Sequence, residues 1–443
     1  MRAEVCATAP AEWKTTPIES VCKLITSGGT PSRRNSAYYS DGGWPWVKTQ
    51  ELKDGWIDDT EEHITDEAIA ESASKVLPAK TVLIALYGAT VGKLGLIRRP
   101  MTCNQACCAM VVSPDKADER YLFYQLLYHR KQLKSQAVGA AQQNLSGLFF
   151  RSFELPFPSI PEQRAIASVL GSLDDKIELS RRMNRTLEQV ARALFESWFV
   201  DFDPVRAKAD GRWKRGESLP GMPADMWGLW PSEFEDSEIG EVPRGWSVSE
   251  IGRVVTVAGG STPSTTEPRF WDGAIHWATP KDMAGLTAPV LLDTERKLSE
   301  AGLAETTSGL LSTGTVLLSS RAPIGYLAIT EVPVAVNQGF ITLTCGTNPS
   351  NHYMLHWARE NHEAILGQAN GTTFLEISKG NFRPMKILVP PDRVMDRFTH
   401  AARSLHEKVV SNLRQVETLV STRDTLLPKL LSGEIRVPIE GGP

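Results

Sequence analysis

The sequence has no long hydrophobic run and few cysteines. The longest apolar stretch of the 443 residues, Ala106–Val112, is far too short to span a bilayer. The first residues, MRAEVCATAP, contain no apolar segment of the kind that forms a secretory signal. Six cysteines in a chain of this length favour reduced thiols over a disulfide framework. We therefore expect a cytoplasmic protein that does not contact a membrane.

The sequence also lacks an excess of positive charge. Lys and Arg number 48 against 52 Asp and Glu, which gives a net charge of −4. This balance excludes attraction of nucleic acid by the whole surface. Contact with DNA would require a local basic patch or a basic partner.

What the sequence does contain is a tandem duplication. SGGTPS at residues 27–32 and GGSTPS at residues 259–264 place Thr30 and Thr262 232 positions apart. Further landmarks recur in the same order at offsets of 231 to 234: Trp46 and Trp277, Asn104 and Asn337, Gln105 and Gln338, Tyr121 and Tyr353, Pro158 and Pro390. So many ordered agreements exclude chance turn chemistry.

Each repeat has the same internal plan. About 150 residues of short apolar runs, punctuated by Gly, Pro and Asn, predict strands and turns. Proline-rich stretches, Glu154–Gln163 and Lys386–Val394, then open a segment of about forty residues that predicts a helix. Between the repeats, Val200–Trp246 is rich in Pro, Gly and charge without periodicity, which predicts a linker with no core of its own.

The duplication also tests the segments that suggest chemistry. GATVGK (Gly88–Lys93) departs from a phosphate-binding loop in spacing, and its counterpart Arg321–Tyr326 lacks the first glycine and the lysine, so a turn is favoured. Cys103, Cys107 and Cys108 have no zinc spacing, and the last two align with Phe and Ile, which indicates core positions. His352 and His356 align with Arg and Tyr, which argues against a metal site. We expect no catalytic residue, no metal site and no bound cofactor in this chain.

Three segments carry a family resemblance. ESWFVDFDPVRAK (Glu196–Lys208), FEDSEIGEVPRGW (Phe234–Trp246) and LLPKLLSGEI (Leu426–Ile435) resemble the central and C-terminal regions of specificity subunits of type I restriction–modification enzymes. The order of two variable-looking units, each followed by a long helix, is similar to that family over nearly the whole chain.

The resemblance implies an α+β fold. It implies two globular target-recognition domains of small mixed sheets plus helices, related by pseudo-twofold symmetry and separated by two long helices in an antiparallel coiled coil. On this chain the predicted parts are target-recognition domains at 1–160 and 244–391, spacer helices at 161–200 and 392–432, a linker at 201–243 and a tail at 433–443.

The resemblance also implies the partners. Each target-recognition domain would read one half of a bipartite double-stranded DNA target, two adenine methyltransferase subunits would dock on the assembly, and motor–nuclease subunits would join for restriction. S-adenosylmethionine, ATP and Mg would then be bound by the partner subunits. Two other hypotheses stay open: a stand-alone DNA-binding regulator with two fused reading heads, and a protein-interaction scaffold.

Turns of both repeats offer side chains suited to base edges and phosphates. The candidate DNA-binding residues are Thr30, Ser32, Arg33, Arg34, Lys48, Lys93, Gln142, Gln143 and Asn144 in the first repeat, and Thr262, Ser264, Lys281, Arg321, Thr372, Thr373 and Lys379 in the second.

Both long helices carry a heptad pattern, which favours a helix pair over a face packed only on its own domain. In an antiparallel pair the polar members select the register, and we predict that Asn184 meets Asn412. A slip of one heptad would leave a buried amide unpaired at about 1–3 kcal/mol. At about 1.5 Å per residue, the paired span would be about 50 Å.

Overall fold

The computed structural model describes residues 10–136, 145–371 and 375–438. The chain divides into two compact units. Unit 1 comprises residues 1–178 with 416–443, and unit 2 comprises residues 179–415. Within the described residues, none of the helices combines the length and the apolar character needed to cross a membrane.

The described residues of unit 1 form ten strands, the first part of one long helix and the last part of another. Its helices and strands are, in chain order, β1 (Lys14–Pro17), α1 (Ile18–Val21), β2 (Cys22–Ser27), β3 (Tyr39–Val47), β4 (Gly55–Ile57), β5 (His63–Ile64), α2 (Asp66–Ala70), β6 (Val82–Ala85), β7 (Leu94–Ile97), β8 (Thr102–Cys103), β9 (Cys107–Val112), α3 (Glu119–Tyr128), α4 (Arg130–Ser135), α5 (Gly147–Ser152), β10 (Glu154–Phe157) and α6 (Ile160–Phe199). Short 3-10 turns lie at Ser36–Tyr38 and Thr49–Glu51.

Unit 2 begins within α6, at residue 179, and ends within the last helix of the chain, at residue 415. The elements that come after α6 follow here in chain order. They are α7 (Asp203–Ala209), β11 (Phe234–Ser237), β12 (Gly240–Pro243), β13 (Ser247–Glu250), α8 (Ile251–Val254), β14 (Thr256–Ala258), β15 (Trp271–Ala278), α9 (Pro280–Met283), β16 (Val290–Leu291), β17 (Arg296–Leu298), α10 (Glu300–Ala304), β18 (Val316–Ser320), β19 (Ile324–Thr330), β20 (Val334–Val336), β21 (Phe340–Thr344), α11 (Asn351–Glu360), α12 (His362–Gly367), α13 (Lys379–Phe382), β22 (Lys386–Val389) and α14 (Asp392–Leu431). Further 3-10 turns lie at Ala224–Leu229 and Pro268–Phe270.

The two main sheets of unit 1 have the same topology as those of unit 2, which also contains the two-stranded sheet β11–β12. The larger sheet has five strands, in the order β2-β9-β6-β7-β4 in unit 1 and β14-β21-β18-β19-β16 in unit 2. In each sheet the last pair in this order is parallel, β7–β4 in unit 1 and β19–β16 in unit 2. The other pairs are antiparallel. The smaller sheet has three strands, β5-β3-β8 or β17-β15-β20, and is also mixed. These small mixed sheets with flanking helices are the predicted fold class.

Local interactions repeat with the topology. Ser146 and Ser378, 232 residues apart, cap the N-termini of α5 and α13 by accepting a hydrogen bond from a backbone N–H three residues on. The Tyr121 hydroxyl on α3 donates to the Pro156 carbonyl at 2.9 Å, and the Tyr353 hydroxyl on α11 donates to the Leu388 carbonyl at 2.7 Å. This duplicated tyrosine therefore holds a helix against a two-stranded edge pair, β1–β10 in unit 1 and β13–β22 in unit 2.

Glycine in the duplicated turn has a steric cause. A Cβ at Gly28 would collide with the carbonyl oxygen of Cys103, and a Cβ at Gly260 would collide with the carbonyl oxygen of Val336. Both glycines let the turn lie directly against a strand of the smaller sheet, which a side chain would prevent.

The segment between the repeats is packed into unit 2. The prediction of a linker without a core of its own misses its buried aromatic residues, among them Phe202, Trp213, Trp230 and Trp246, which join the main hydrophobic core of unit 2. The Lys208 ammonium donates to the carbonyls of Trp227 and Trp230 and helps hold the segment in place. These residues are irregularly spaced among Gly and Pro, so no period indicates their burial.

Helices α6 and α14 pack together antiparallel. In unit 1, Asp174 of α6 accepts a hydrogen bond from Arg423 of α14 at 2.8 Å, and Leu170 shares a core with Leu427 and Leu430. In unit 2, Asn412 Nδ2 donates to Asn184 Oδ1 at 2.8 Å. Both asparagines are buried, so the predicted register is the one that this pair adopts.

Candidate nucleic-acid interface

Each unit presents an aromatic pair on the central strand of its smaller sheet. Tyr39 and Trp46 on β3 meet edge to face with centroids 5.8 Å apart, and Trp271 and Trp277 on β15 meet at 5.0 Å. The members correspond at offsets of 232 and 231, so the pair is part of the duplication.

The aromatic pair holds the duplicated turn. In unit 1, the Tyr39 hydroxyl donates to the Pro31 carbonyl at 2.7 Å and Trp46 Nε1 donates to the Gly29 carbonyl at 3.0 Å. In unit 2, Trp271 Nε1 donates to the Ser264 carbonyl at 3.0 Å, and Trp277 Nε1 donates to the Ser261 carbonyl at 3.4 Å.

The threonine of each turn makes a second repeated bond. Thr30 donates to the side chain of Gln105, and Thr262 donates to Gln338 at 2.6 Å. These bonds explain why the Thr-Pro-Ser turn and the Asn-Gln pair recur together. Both threonines are candidate DNA-binding residues whose hydroxyls take part in intramolecular bonds.

A guanidinium covers the aromatic pair of unit 1. The Cζ of Arg33 lies 4.3 Å from the Tyr39 ring centroid and 5.0 Å from that of Trp46. Arg33 and Lys48 both bind the Glu62 carboxylate, with Lys48 Nζ 2.6 Å from it. The hydrogen bond from Arg33, followed by that from Lys48, lowers the pKa of Glu62 to about 2. Arg33 and Lys48, both candidate DNA-binding residues, therefore share Glu62 as their counter-ion.

Carboxylates fix the segments that carry these charges. Glu51 accepts hydrogen bonds from the backbone N–H groups of Lys48 at 2.6 Å and Glu61 at 2.8 Å. In unit 2, Asp282 accepts from Thr279 at 2.8 Å and Glu295 at 2.7 Å. The two loops thus have the same backbone frame.

Equivalent carboxylates of the two units are each bound by a lysine, but the two lysines come from different positions of the repeat. Lys48 Nζ lies 3.1 Å from Glu61, and Lys281 Nζ lies 2.7 Å from Glu295, the counterpart of Glu61 in the shared frame. The Glu295 hydrogen bond raises the pKa of Lys281. Both lysines stay protonated at neutral pH and are candidates for phosphate contact.

Sequence reasoning missed the guanidinium of unit 2. Arg296, the exposed first residue of β17, places its Cζ 3.3 Å from the Trp271 ring centroid and 5.5 Å from that of Trp277. A threonine that is present in both repeats shows which position of unit 1 corresponds to Arg296. Thr60 accepts a hydrogen bond from the backbone N–H of Trp46 and donates to the carbonyl of Glu62. Thr294 accepts from the backbone N–H of Trp277 and donates to the carbonyl of Arg296 in the same way. Aligning the repeats through this threonine, at an offset of 234, would have identified the position.

The remaining candidates lie in other surroundings. Lys93 and Arg130 bind Asp54, and although burial of Asp54 favours a higher pKa, these partners and the Leu94 N–H lower it. Ser32, Arg34 and Lys379 are exposed. Ser264 bonds to Thr266 at 2.9 Å, and Arg321 lies 3.7 Å from Glu376. Gln142, Gln143, Asn144, Thr372 and Thr373 lie outside the described residues. Of all the candidates, the structure brings together Arg33 and Lys48, which meet at Glu62, and Arg33 follows the turn that contains Thr30.

The segments that suggested chemistry have structural roles. Gly88–Lys93 forms the turn between β6 and β7. Cys103, Cys107 and Cys108 are fully buried, and burial raises the pKa of Cys108 to about 12. His352 and His356 are buried on α11, and burial lowers the pKa of each to about 3. In the part of the chain that the structure describes, no group of three or more His, Cys, Asp or Glu side chains could hold a metal ion.

The duplicated fold and its repeated turn correspond to a known class of protein. The Type I restriction modification DNA specificity domain matches residues 10–189 and 243–395, more than half of the chain. The chain therefore belongs to the family of type I restriction–modification specificity subunits.

Particular relatives cover most of the chain. The type I restriction enzyme MjaIX specificity subunit of Methanocaldococcus jannaschii is 27% identical over 439 residues, 97% of this chain and 94% of that protein. The HindI specificity subunit of Haemophilus influenzae is 29% identical over 321 residues, 64% of this chain and 69% of that protein. The crystal structure of an S subunit from M. genitalium matches with a TM-score of 0.59 at 17% identity, covering 94% of this chain and 96% of the other. The last match supports the fold.

Proposed function

We propose that this chain is a non-catalytic DNA-specificity subunit that reads a bipartite double-stranded target. Family membership supports the DNA-specificity role. The observation that carries the two-part reading is the repetition within units 1 and 2 of one polar surface: the Thr-Pro-Ser turn, the aromatic pair beneath it, and a lysine and an arginine beside it.

The surface has the groups that DNA recognition requires. Lysine ammonium groups suit phosphate contacts, which set register, and guanidinium groups suit base edges, which carry sequence information. Because the net charge of the chain is −4, these local groups and basic partner subunits supply the attraction to DNA.

The proposed assembly leaves the chemistry to partners. Two adenine methyltransferase subunits bind this chain in the cytoplasm, and motor–nuclease subunits join for restriction. The methyltransferase binds S-adenosylmethionine and flips the target base into its own pocket, so this chain requires no catalytic residue. ATP and Mg are bound by the motor–nuclease subunits.

Methyl transfer tests the proposal. The purified chain alone is expected to transfer no methyl group, and the chain with its methyltransferase partner and S-adenosylmethionine is expected to methylate adenine at one split sequence. Replacing roughly residues 12–155 by the equivalent unit of another family member is expected to change one half of the methylated motif. Methyl transfer by the chain alone, or a change in both halves, would contradict the proposal.

Salt dependence tests the phosphate contacts. Lys281→Ala is expected to weaken binding and to reduce the slope of log K against log salt by about 0.9, the value for one lost phosphate contact. Lys386→Ala is the matched control, because Lys386 also pairs with carboxylates but lies on the edge pair of strands β13 and β22. Equal slopes for wild type and Lys281→Ala would show that Lys281 makes no phosphate contact.

A further inference from the structure

The structure places an arginine guanidinium on the aromatic pair of each unit, although the two arginines come from different positions in the repeat. Arg33 follows the Thr-Pro-Ser turn, whereas Arg296 lies on β17 at the position that Glu62 occupies in unit 1. We propose that Arg296 is a specificity-determining residue that reads a G·C base pair in the half-site recognised by unit 2. The inference rests on the proposed function.

The pattern of repetition distinguishes reading from folding. Residues that maintain the fold recur at matching positions, as Tyr121 and Tyr353 do on α3 and α11. The arginine does not recur in this way, because the position equivalent to Arg33 is Thr265 at the offset of 232. The scaffold is therefore constant, while the arginine is supplied from a loop in unit 1 and from β17 in unit 2, as two units that read different half-sites require.

The geometry of Arg296 suits a base edge. The Cζ of Arg296 lies over the ring of the buried Trp271 while the residue itself is exposed, so the guanidinium is held against the ring and remains accessible for hydrogen bonds. A planar fork of this kind binds guanine O6 and N7 in the major groove through two parallel bonds. Because these rings restrict the side chain before DNA arrives, little conformational entropy is lost on binding.

The charge environment differs between the units. Arg33 is paired with Glu62, so DNA must compete with a carboxylate for it. Among the described residues, Arg296 has no ion pair, and the carboxylate of its unit that matches Glu61 is occupied by Lys281. Arg296 is thus the more accessible of the two guanidinium groups.

The experiment uses the full chain with its methyltransferase partner. Wild type, Arg296→Lys, Arg296→Ala and Arg269→Ala are each used to select bound duplexes from a randomised pool, and the methylated motif is sequenced. Arg269 is the matched control, because it is an exposed arginine stacked 4.9 Å from the Phe270 ring centroid in the same unit. Thermal melting followed by circular dichroism confirms that each variant is folded.

We expect both Arg296 variants to lose about ten- to hundredfold discrimination at one G·C position in one half-site, with the other half unchanged. Lysine keeps the charge but not the fork, so a phosphate contact would be preserved in Arg296→Lys and base reading would not. Replacing that guanine by 7-deazaguanine removes the N7 acceptor and is expected to weaken wild-type binding but not binding by Arg296→Ala.

Three outcomes overturn the inference. Identical motifs for all four proteins would make Arg296 a structural residue. Full discrimination by Arg296→Lys would make it a phosphate contact. Failure of the wild-type complex to select any motif would overturn the proposed function together with the inference, and it is distinguished from the others by the wild-type result alone.

Discussion

The asparagine pair between the long helices offers the sharpest test of the structure. Asn412 Nδ2 donates to Asn184 Oδ1 at 2.8 Å, and the two residues are only 2% and 3% exposed. Asn184→Leu removes the acceptor and leaves the Asn412 amide buried without that partner. Such a loss costs about 1–3 kcal/mol of the free energy of unfolding, since the amide has no access to water.

The double variant distinguishes the interaction between the two asparagines from the contribution of each asparagine alone. Replacing both asparagines by leucine removes both polar groups, so we expect a free energy of unfolding close to that of wild type. With each single loss at about 1–3 kcal/mol, the coupling energy is their sum, about 2–6 kcal/mol. The contact from Asn184 Nδ2 to the Val409 carbonyl, at 3.5 Å, is long and contributes little to this difference.

Urea denaturation of wild type, both single variants and the double variant measures this cycle. Gln189→Leu is the control, because Gln189 is an exposed amide on the same helix. Single variants no less stable than Gln189→Leu, or losses that simply add in the double variant, would refute the reasoning that the buried pair stabilises this register.

Three further predictions concern stability. Gly260→Ala forces a Cβ into a backbone carbonyl and is expected to cost about 1–3 kcal/mol or more by urea denaturation, whereas Gly285→Ala, with open space around it, is expected to have little effect. Burial lowers the pKa of His356 from 6.5 to about 3, so protonation of the unfolded chain reduces stability as pH falls through this range, and His356→Phe is expected to gain stability over wild type progressively between pH 6.5 and 3. The Arg33 hydrogen bond lowers the pKa of Glu62 from 4.5 to about 2, so the stability that Glu62 contributes is present above pH 4.5 and is lost as pH falls to 2. The melting-temperature deficit of Glu62→Gln should disappear over the same window, and a pH-independent deficit would contradict this account.

The helices were predictable because their signals are local. A heptad pattern extends through each forty-residue helix, and the buried polar members, Asn184 and Asn412, identify the register without tertiary information. The serine caps also obey a short-range rule, whereas the glycines of the duplicated turn are required by strands that are distant in sequence. The packed segment between the repeats was missed, since Trp213 and Trp230 lie among Gly and Pro without a period.

The candidate interface was only partly predictable. The DNA-binding role of its residues stays a prediction, but the structure shows which of them share a surface. Arg33 and Lys48 converge on Glu62, whereas Lys93 is engaged by Asp54. Arg296 carried no signal of its own, because an arginine at the start of a short strand is an ordinary residue.

The sequence by itself determined the duplication, the two long helices and the polar pair between them, because backbone periodicity and repeated spacing are properties of the chain alone. The tertiary structure decided which side chain covers each aromatic pair. The segment from the buried tryptophan to β5 in unit 1 differs in length from the segment to β17 in unit 2, so an offset of 231 at Trp277 becomes 234 at Arg296. Arg33 reaches the rings of unit 1 from the loop before β3, whereas Arg296 reaches the corresponding rings of unit 2 from β17, and only folding brings each arginine to its aromatic pair.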